Sequence, residues 1–210
     1  MLFTLKPVSS RTDYAHSVKF LGVVLDSGLT WKEHTVFVCR SVSRNIFLLR
    51  NLKSCLSQST VLMAYHALVH SSITYAILVW GHSAHAPTVL SYREDCRNVF
   101  KKFGILTLPC AYILQCLVHL KTNLFNYTKN ESIHSYETRS GGNMRMDFLR
   151  LSRTRNGTDY YALKFFNVLP IAIRLLDRTS FKSVIKRFLL ENAFYDFDEF
   201  LLSDFTHLRF

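Results

Sequence analysis

From Ser54 to Tyr92 the chain carries no Asp, Glu, Lys or Arg. A stretch that long without a formal charge is expected to leave water, either into a protein core or into lipid. Within it, Val61 to Trp80 has about the ~20 residues that a bilayer helix needs. The same window holds His66, His70, Ser71, Ser72 and Thr74, and no second window like it occurs. A buried helix of a helical domain therefore accounts for it as well as a membrane span does. With 210 residues, 49% of them hydrophobic, the chain is long enough to bury a core of its own.

Around that stretch the periodicities place further elements. Ser17 to Leu25 is rich in β-branched and aromatic residues and runs into Asp26-Ser27-Gly28, which predicts a strand followed by a turn, with Leu2 to Val8 as hairpin partner. Thr30 with Glu33 three positions on forms the pattern of a capping box. After it, Val38, Val42, Ile46 and Leu49 recur at helical spacing while Arg40 and Arg44 share another face. Ser57 to Val79 reads as a second helix, apolar nearly all round, and Tyr92 to Phe103 as a third, stopped by Gly104. Pro109 opens a fourth that runs through Leu120. Between Lys121 and Gly157 the pattern dissolves into Asn, Ser, Thr, Gly and Arg, which reads as a link or a long loop. Helices return at Asp159 to Asn167 and at Ser180 to Asn192, followed by an acidic, aromatic tail from Glu191 to Asp204. The expected fold is mainly α with a small N-terminal β-hairpin.

Charge narrows the partners. Lys and Arg number 26 against 15 Asp and Glu, a formal net charge of +11, which favours polyanions: RNA or DNA first, an acidic membrane second. Arg139, Arg145, Arg150, Arg153 and Arg155 are opposed locally only by Asp147, and Tyr136, Phe148, Tyr160 and Tyr161 offer stacking surfaces beside them. Guanidinium forks pair with phosphate oxygens and stack on bases. An ordinary solvated loop has the same composition.

Enzymatic motifs find little support. His66 and His70 have metal-ligand spacing, but position 67 is Ala where a zinc-peptidase helix carries its Glu base, so packing histidines are expected. His82, His85, Cys96 and Cys110 reproduce no zinc spacing, and no metal or cofactor is expected. Gly81-His82-Ser83 is not a nucleophile elbow, Cys116 and His119 read as packing partners, and the glycines form no phosphate-cradling loop. Five cysteines without a C-x-x-C pair fit a reducing compartment, cytoplasmic or nuclear, and the N-x-[ST] matches at Asn126, Asn130 and Asn156 read as chance.

Several segments stand in a fixed order along the chain: Val18-Lys19-Phe20-Leu21-Gly22-Val23-Val24-Leu25-Asp26 with Leu29-Thr30-Trp31 and His34; Ser72 to Gly81; Phe103 to Pro109; His134 to Arg139; and Phe165 to Pro170 with Phe181-Lys182. Taken in that order, they resemble the region that follows the catalytic palm in non-LTR retrotransposon reverse transcriptases, the jockey-like group of LINE-type elements in particular. The resemblance implies a primer-grip-type hairpin at residues 1–28, a helical thumb-like region at 29–120, a basic flexible link at 121–157 and a C-terminal helical segment at 158–210. It implies that Lys19, Phe20, Leu21 and Gly22 lie near a primer end, that Arg40 and Arg44 track a template-primer backbone, and that Val61 to Trp80 is a packed thumb helix rather than a span. Two departures stand beside it. The family's paired aspartates would precede residue 1, and no Asp-Asp pair occurs in the chain; Asp196, Asp198 and Glu199 are a poor substitute for the carboxylates that clamp two Mg2+ ions. Only about ten residues join Gly81 to Tyr92, where the family has a basic helical segment. The expectation is a non-catalytic reverse transcriptase fragment that binds RNA or DNA without sequence choice, with a separate palm-containing polypeptide as the partner for chemistry. The alternative is a non-functional or structural protein, with residues 61–80 as the segment open to membrane association.

Overall fold

The computed structural model describes residues 15–86, 96–132, 141–146 and 157–205, and the chain is mainly α with one two-stranded antiparallel hairpin near its start. Strand β1 (Ser17–Phe20) pairs with β2 (Val23–Asp26), Ser17 facing Asp26 and Phe20 facing Val23. The connection is Leu21-Gly22, both at positive φ (46° and 82°), the primed two-residue turn whose twist matches paired strands. The expected single strand from Ser17 to Leu25 is thus folded on itself. Gly22 supplies the second left-handed residue at no steric cost, and the turn turns out to lie inside the apolar run. The expected partner Leu2 to Val8 lies outside the described residues.

Helix α1 (Lys32–Leu52) follows, with Val38, Val42 and Leu49 buried. The expected capping box does not form: the N-cap residue is Trp31, left-handed at φ 66°, with no side-chain cap bond. The Asp26 carboxylate takes over, accepting from the backbone N–H groups of Gly28, Thr30 and Trp31 at 3.1, 2.9 and 2.8 Å. A carboxylate at the end of the strand thus holds the turn that leads into the helix, and the N-cap residue Trp31 is the one helix-start donor it reaches.

The uncharged stretch is a broken helix. Ser57 caps α2 (Gln58–Tyr65) by accepting from Thr60 N–H, a π-helical turn covers His66–His70, and α3 (Ser71–Thr74) ends where Tyr75 goes extended and Ala76 turns left-handed before α4 (Ile77–Trp80). The hydroxyls of Ser71, Ser72 and Thr74 donate back to the carbonyls of Ala67, Leu68 and His70, a competition with the backbone ladder that bends helices. Val69, Ile73, Ile77 and Trp80 are buried, whereas Met63, Leu68, Tyr75 and Val79 are exposed. The expectation of one continuous helix, apolar nearly all round, gives way to an interrupted one with a single buried stripe. Among the described residues no single helix is long and apolar enough to cross a membrane.

Helix α5 (Arg97–Phe103) ends at Gly104 as expected. Thr107 then caps α6 (Leu108–Thr122), with Pro109 in its first turn. Helix α6 is the centre of the core: Cys110, Tyr112, Ile113, Cys116, Leu117 and Leu120 are fully buried against α7 (Thr158–Val168) and α9 (Arg178–Asn192). A short α8 (Ile171–Arg174) joins the last two. The acidic, aromatic segment folds back as α10 (Phe197–Leu201), its Phe197 and Phe200 packed on Tyr112, Phe165 and Phe188. Apolar area outweighs the acidic side chains, which stay at the rim.

Part of the stretch expected as a link is held in place. Lys129 and Met144 form an antiparallel bridge, flanked by Asn130 N–H to Asn143 and Arg145 N–H to Thr128. Asn167 on α7 pairs with Met144 in both directions, at 2.8 and 2.9 Å. Arg174 donates to the carbonyls of Leu169, Gly142 and Asn167 and to the Asn143 side chain.

Candidate nucleic-acid interface

The hairpin and α1 build one continuous surface. Lys32, Phe37, Arg40, Arg44, Phe47 and Leu48 are exposed, and at helical spacing Phe37, Arg40, Arg44, Phe47 and Leu48 form a stripe opposite the buried Val38, Val42 and Leu49. Glu33 is the one acid at its N-terminal end. From the hairpin, the Lys19 ammonium sits 4.7 Å from the centre of the Phe37 ring, a cation–π contact that joins the two elements. Phe20 and Leu21 at the turn are 61% and 74% exposed, and Phe47 is 63% exposed. Cations interleaved with open aromatic faces are what a strand's phosphates and bases recognise.

The hairpin is locked to the body by its own motif residues. The Tyr75 hydroxyl donates to the Leu21 carbonyl at 2.5 Å, and a Cβ on Gly22 would lie 3.2 Å from the Tyr75 ring. Val24 N–H donates to His34 Nδ1 at 3.3 Å, and the His34 ring meets Trp80 edge-on at 5.3 Å. Trp80 Nε1 in turn donates to the Tyr75 carbonyl. A Cβ on Gly81 would lie 2.5 Å from the Tyr112 ring and 2.6 Å from the Ile77 carbonyl, so Trp80-Gly81 sits where only a glycine lets the chain pass. The segments Val18–His34 and Ser72–Gly81 are therefore in mutual contact.

Two ionisable groups in this knot are held away from their ordinary behaviour. Burial works to raise the Asp26 pKa, and the donors at Thr30, Trp31 and Gly28 outweigh it, leaving the carboxyl below its usual 3.8. Burial lowers the pKa of His34, whose Nε2 has no hydrogen-bond partner among the described residues. It is a neutral ring filling the joint between hairpin and helix.

Of the other expected site residues, Arg145 alone is among those described. Arg145 sits on the bridge with Lys129 and Met144 and lines a cavity of about 550 Å3 with Tyr127, Asp159 and Tyr160. Arg139, Arg150, Arg153 and Arg155 lie outside the described residues. His66 is exposed and its neighbour His70 half-buried, ring centres 5.3 Å apart. No group of three or more His, Cys, Asp or Glu able to hold a metal occurs among the described residues. Asp196 accepts from Phe197 N–H, and Glu199 takes Arg97 at 2.7 Å and Tyr195 N–H at 3.0 Å. Those carboxylates are committed to the fold and do not fit a two-metal centre.

The sequence reading passed over the exposed cations of α9, Arg178, Lys182, Lys186 and Arg187. Lys182 and Lys186 stand four apart opposite Phe181, Val184 and Ile185, a spacing that was visible. No protein-family model matches the chain, and no curated protein or solved structure matches it either.

Proposed function

We propose that this protein is a portion of a retrotransposon-type reverse transcriptase that holds RNA or DNA non-specifically and does not synthesise DNA by itself. The observation that carries the binding reading is the hairpin–α1 surface, where Lys19 lies on Phe37 in line with Arg40, Arg44 and the open ring of Phe47. The order of the quoted motifs supports the family reading. Polymer synthesis needs carboxylates that clamp two divalent ions, and the chain has no Asp-Asp pair. A palm-containing polypeptide is the partner that would supply them.

Fluorescence anisotropy with labelled single-stranded RNA and DNA tests the reading. Affinity should fall steeply with added salt, because each phosphate contact releases counterions. Arg40→Ala/Arg44→Ala should weaken binding to all sequences alike and flatten the slope of log affinity against log salt by roughly 1.4, at about 0.7 per single-strand contact. Phe47→Ala should weaken binding without changing the slope, since stacking carries no counterion. Salt-insensitive binding, or indifference to the arginine pair, overturns the assignment. Primer extension by the chain alone should give no product.

A further inference from the structure

A second cationic surface lies on α5 and α9, outside the hairpin and α1. Helices α5 and α9 pack together and leave between them an open groove of about 550 Å3, lined by Lys101, Ser183, Lys186, Arg187 and, at one end, Glu191. Its two lysines outnumber its one carboxylate, and Arg187 is engaged in an interaction of its own. The Lys101 and Lys186 ammonium groups make no hydrogen bond or ion pair among the described residues. Two long ammonium side chains in one concavity repel each other, and the groove's own acid pairs with neither of them. Such an arrangement lowers its energy by taking up an anion.

The groove's local backbone is compatible with that. A helix C-terminus ordinarily repels anions through its open carbonyls. Here Gly104, left-handed at φ 62°, turns its N–H back to Lys101, and Ile105 N–H goes to the Phe100 carbonyl. These bonds close the end of α5, and a Cβ at Gly104 would meet nothing within 4 Å, so the mouth stays open. Beside it, burial, then the charge of His66 and that of Lys186, hold His70 below the ordinary imidazole value. Positive field from α9 thus reaches the π-helical turn.

We propose that the groove between α5 and α9 is a second phosphate site, in which Lys101, Lys186 and Ser183 hold the sugar-phosphate backbone of the same strand. The inference rests on the nucleic-acid reading above and adds a second place where the strand is held. A groove open at its mouth accepts a continuing chain, whereas an enclosed cage would be needed to retain a free phosphate ion. Two separated contact surfaces also make affinity depend on strand length, because the second contact forms at high effective concentration once the strand can span both.

The test uses the full chain, with single-stranded oligonucleotides of increasing length followed by anisotropy. Lys101→Ala/Lys186→Ala should flatten the salt slope by roughly 1.4, at about 0.7 per contact, and should remove the gain in affinity on going from short to long strands. Both side chains are exposed, so an unchanged melting temperature verifies folding. Arg40→Ala/Arg44→Ala should instead weaken short and long strands alike. If the wild type binds and the lysine pair changes neither slope nor length dependence, the groove is not a strand site and the hairpin–α1 reading survives. If inorganic phosphate displaces the strand from wild type but not from the lysine variant, at concentrations where sulfate does not, the site belongs to the free ion and the inference falls. Wild type that binds no strand removes both readings.

Discussion

Tyr75 and Leu21, 54 positions apart, are joined by a single hydrogen bond from the phenol to the turn carbonyl. That bond fixes a two-stranded hairpin, marginal on its own in water, to the helical body. It sets the direction of the Lys19–Phe37 pair and with it the start of the basic, aromatic stripe on α1.

Removing the phenolic hydroxyl should loosen the hairpin without unfolding the protein. Tyr75→Phe should cost about 0.5–1.5 kcal/mol, and Gly22→Ala about 1–2 kcal/mol because an L residue must hold a left-handed conformation there. Chemical denaturation gives both values. Hydrogen exchange should show earlier loss of protection in residues 17–26 than in α6; equal exchange in both segments would mean that the anchor is idle.

Asp26 should behave as the staple between strand and helix. Asp26→Ala leaves three backbone N–H groups without their acceptor and should cost about 1.5–3 kcal/mol, whereas Thr30→Ala should cost less, since it keeps all three backbone donations and removes only a hydroxyl that meets Lys32 N–H at 3.4 Å and the Asp26 carboxylate. With its folded pKa below 3.8, Asp26 stabilises the fold at neutral pH and loses that contribution as pH falls through the folded value. Thermal melts of the two variants decide the order, and a larger loss for Thr30→Ala would return the cap to the sequence-based expectation.

Histidines should govern the pH dependence at milder acidity. Burial is the main cause that holds His34, His70 and His82 below 6.5, so near and below 6.5 the unfolded chain binds more protons than the folded one. Stability then rises with pH in this window: it is complete above the unfolded value of 6.5 and is lost as pH drops toward the lowered folded values. Melting temperature should fall between about pH 7.5 and pH 5, and His34→Gln should make that fall shallower. A melting temperature that rises on acidification would contradict the neutral, buried assignment.

Arg174 and Asn167 should control order in the segment they bind. Asn167→Ala strands the Met144 N–H and carbonyl, and Arg174→Ala removes four donations; each should cost about 1–3 kcal/mol. Limited proteolysis should cut within residues 128–146 sooner in either variant than in wild type. Unchanged cleavage rates would show that the Lys129–Met144 bridge stands without them.

Much of this fold was legible locally. The period of Val38, Val42 and Leu49, the opening of α6 at Pro109, the Gly104 stop and the stripe through Phe181, Val184 and Ile185 each depend on neighbours within one or two turns, which is why they could be read along the chain. The exposed placement of Arg40 and Arg44 followed from the same geometry. Tertiary contact decided the rest: that Leu21-Gly22 is a hairpin turn over Tyr75, that Asp26 holds the turn into α1, that the uncharged stretch is interrupted at His66–His70 and at Tyr75-Ala76, and that Lys101 and Lys186 line one groove. Sequence periodicity records which side of an element is apolar and carries no distance between elements, so the meeting of charges and hydrogen-bonding groups from remote segments became visible only once the core had packed.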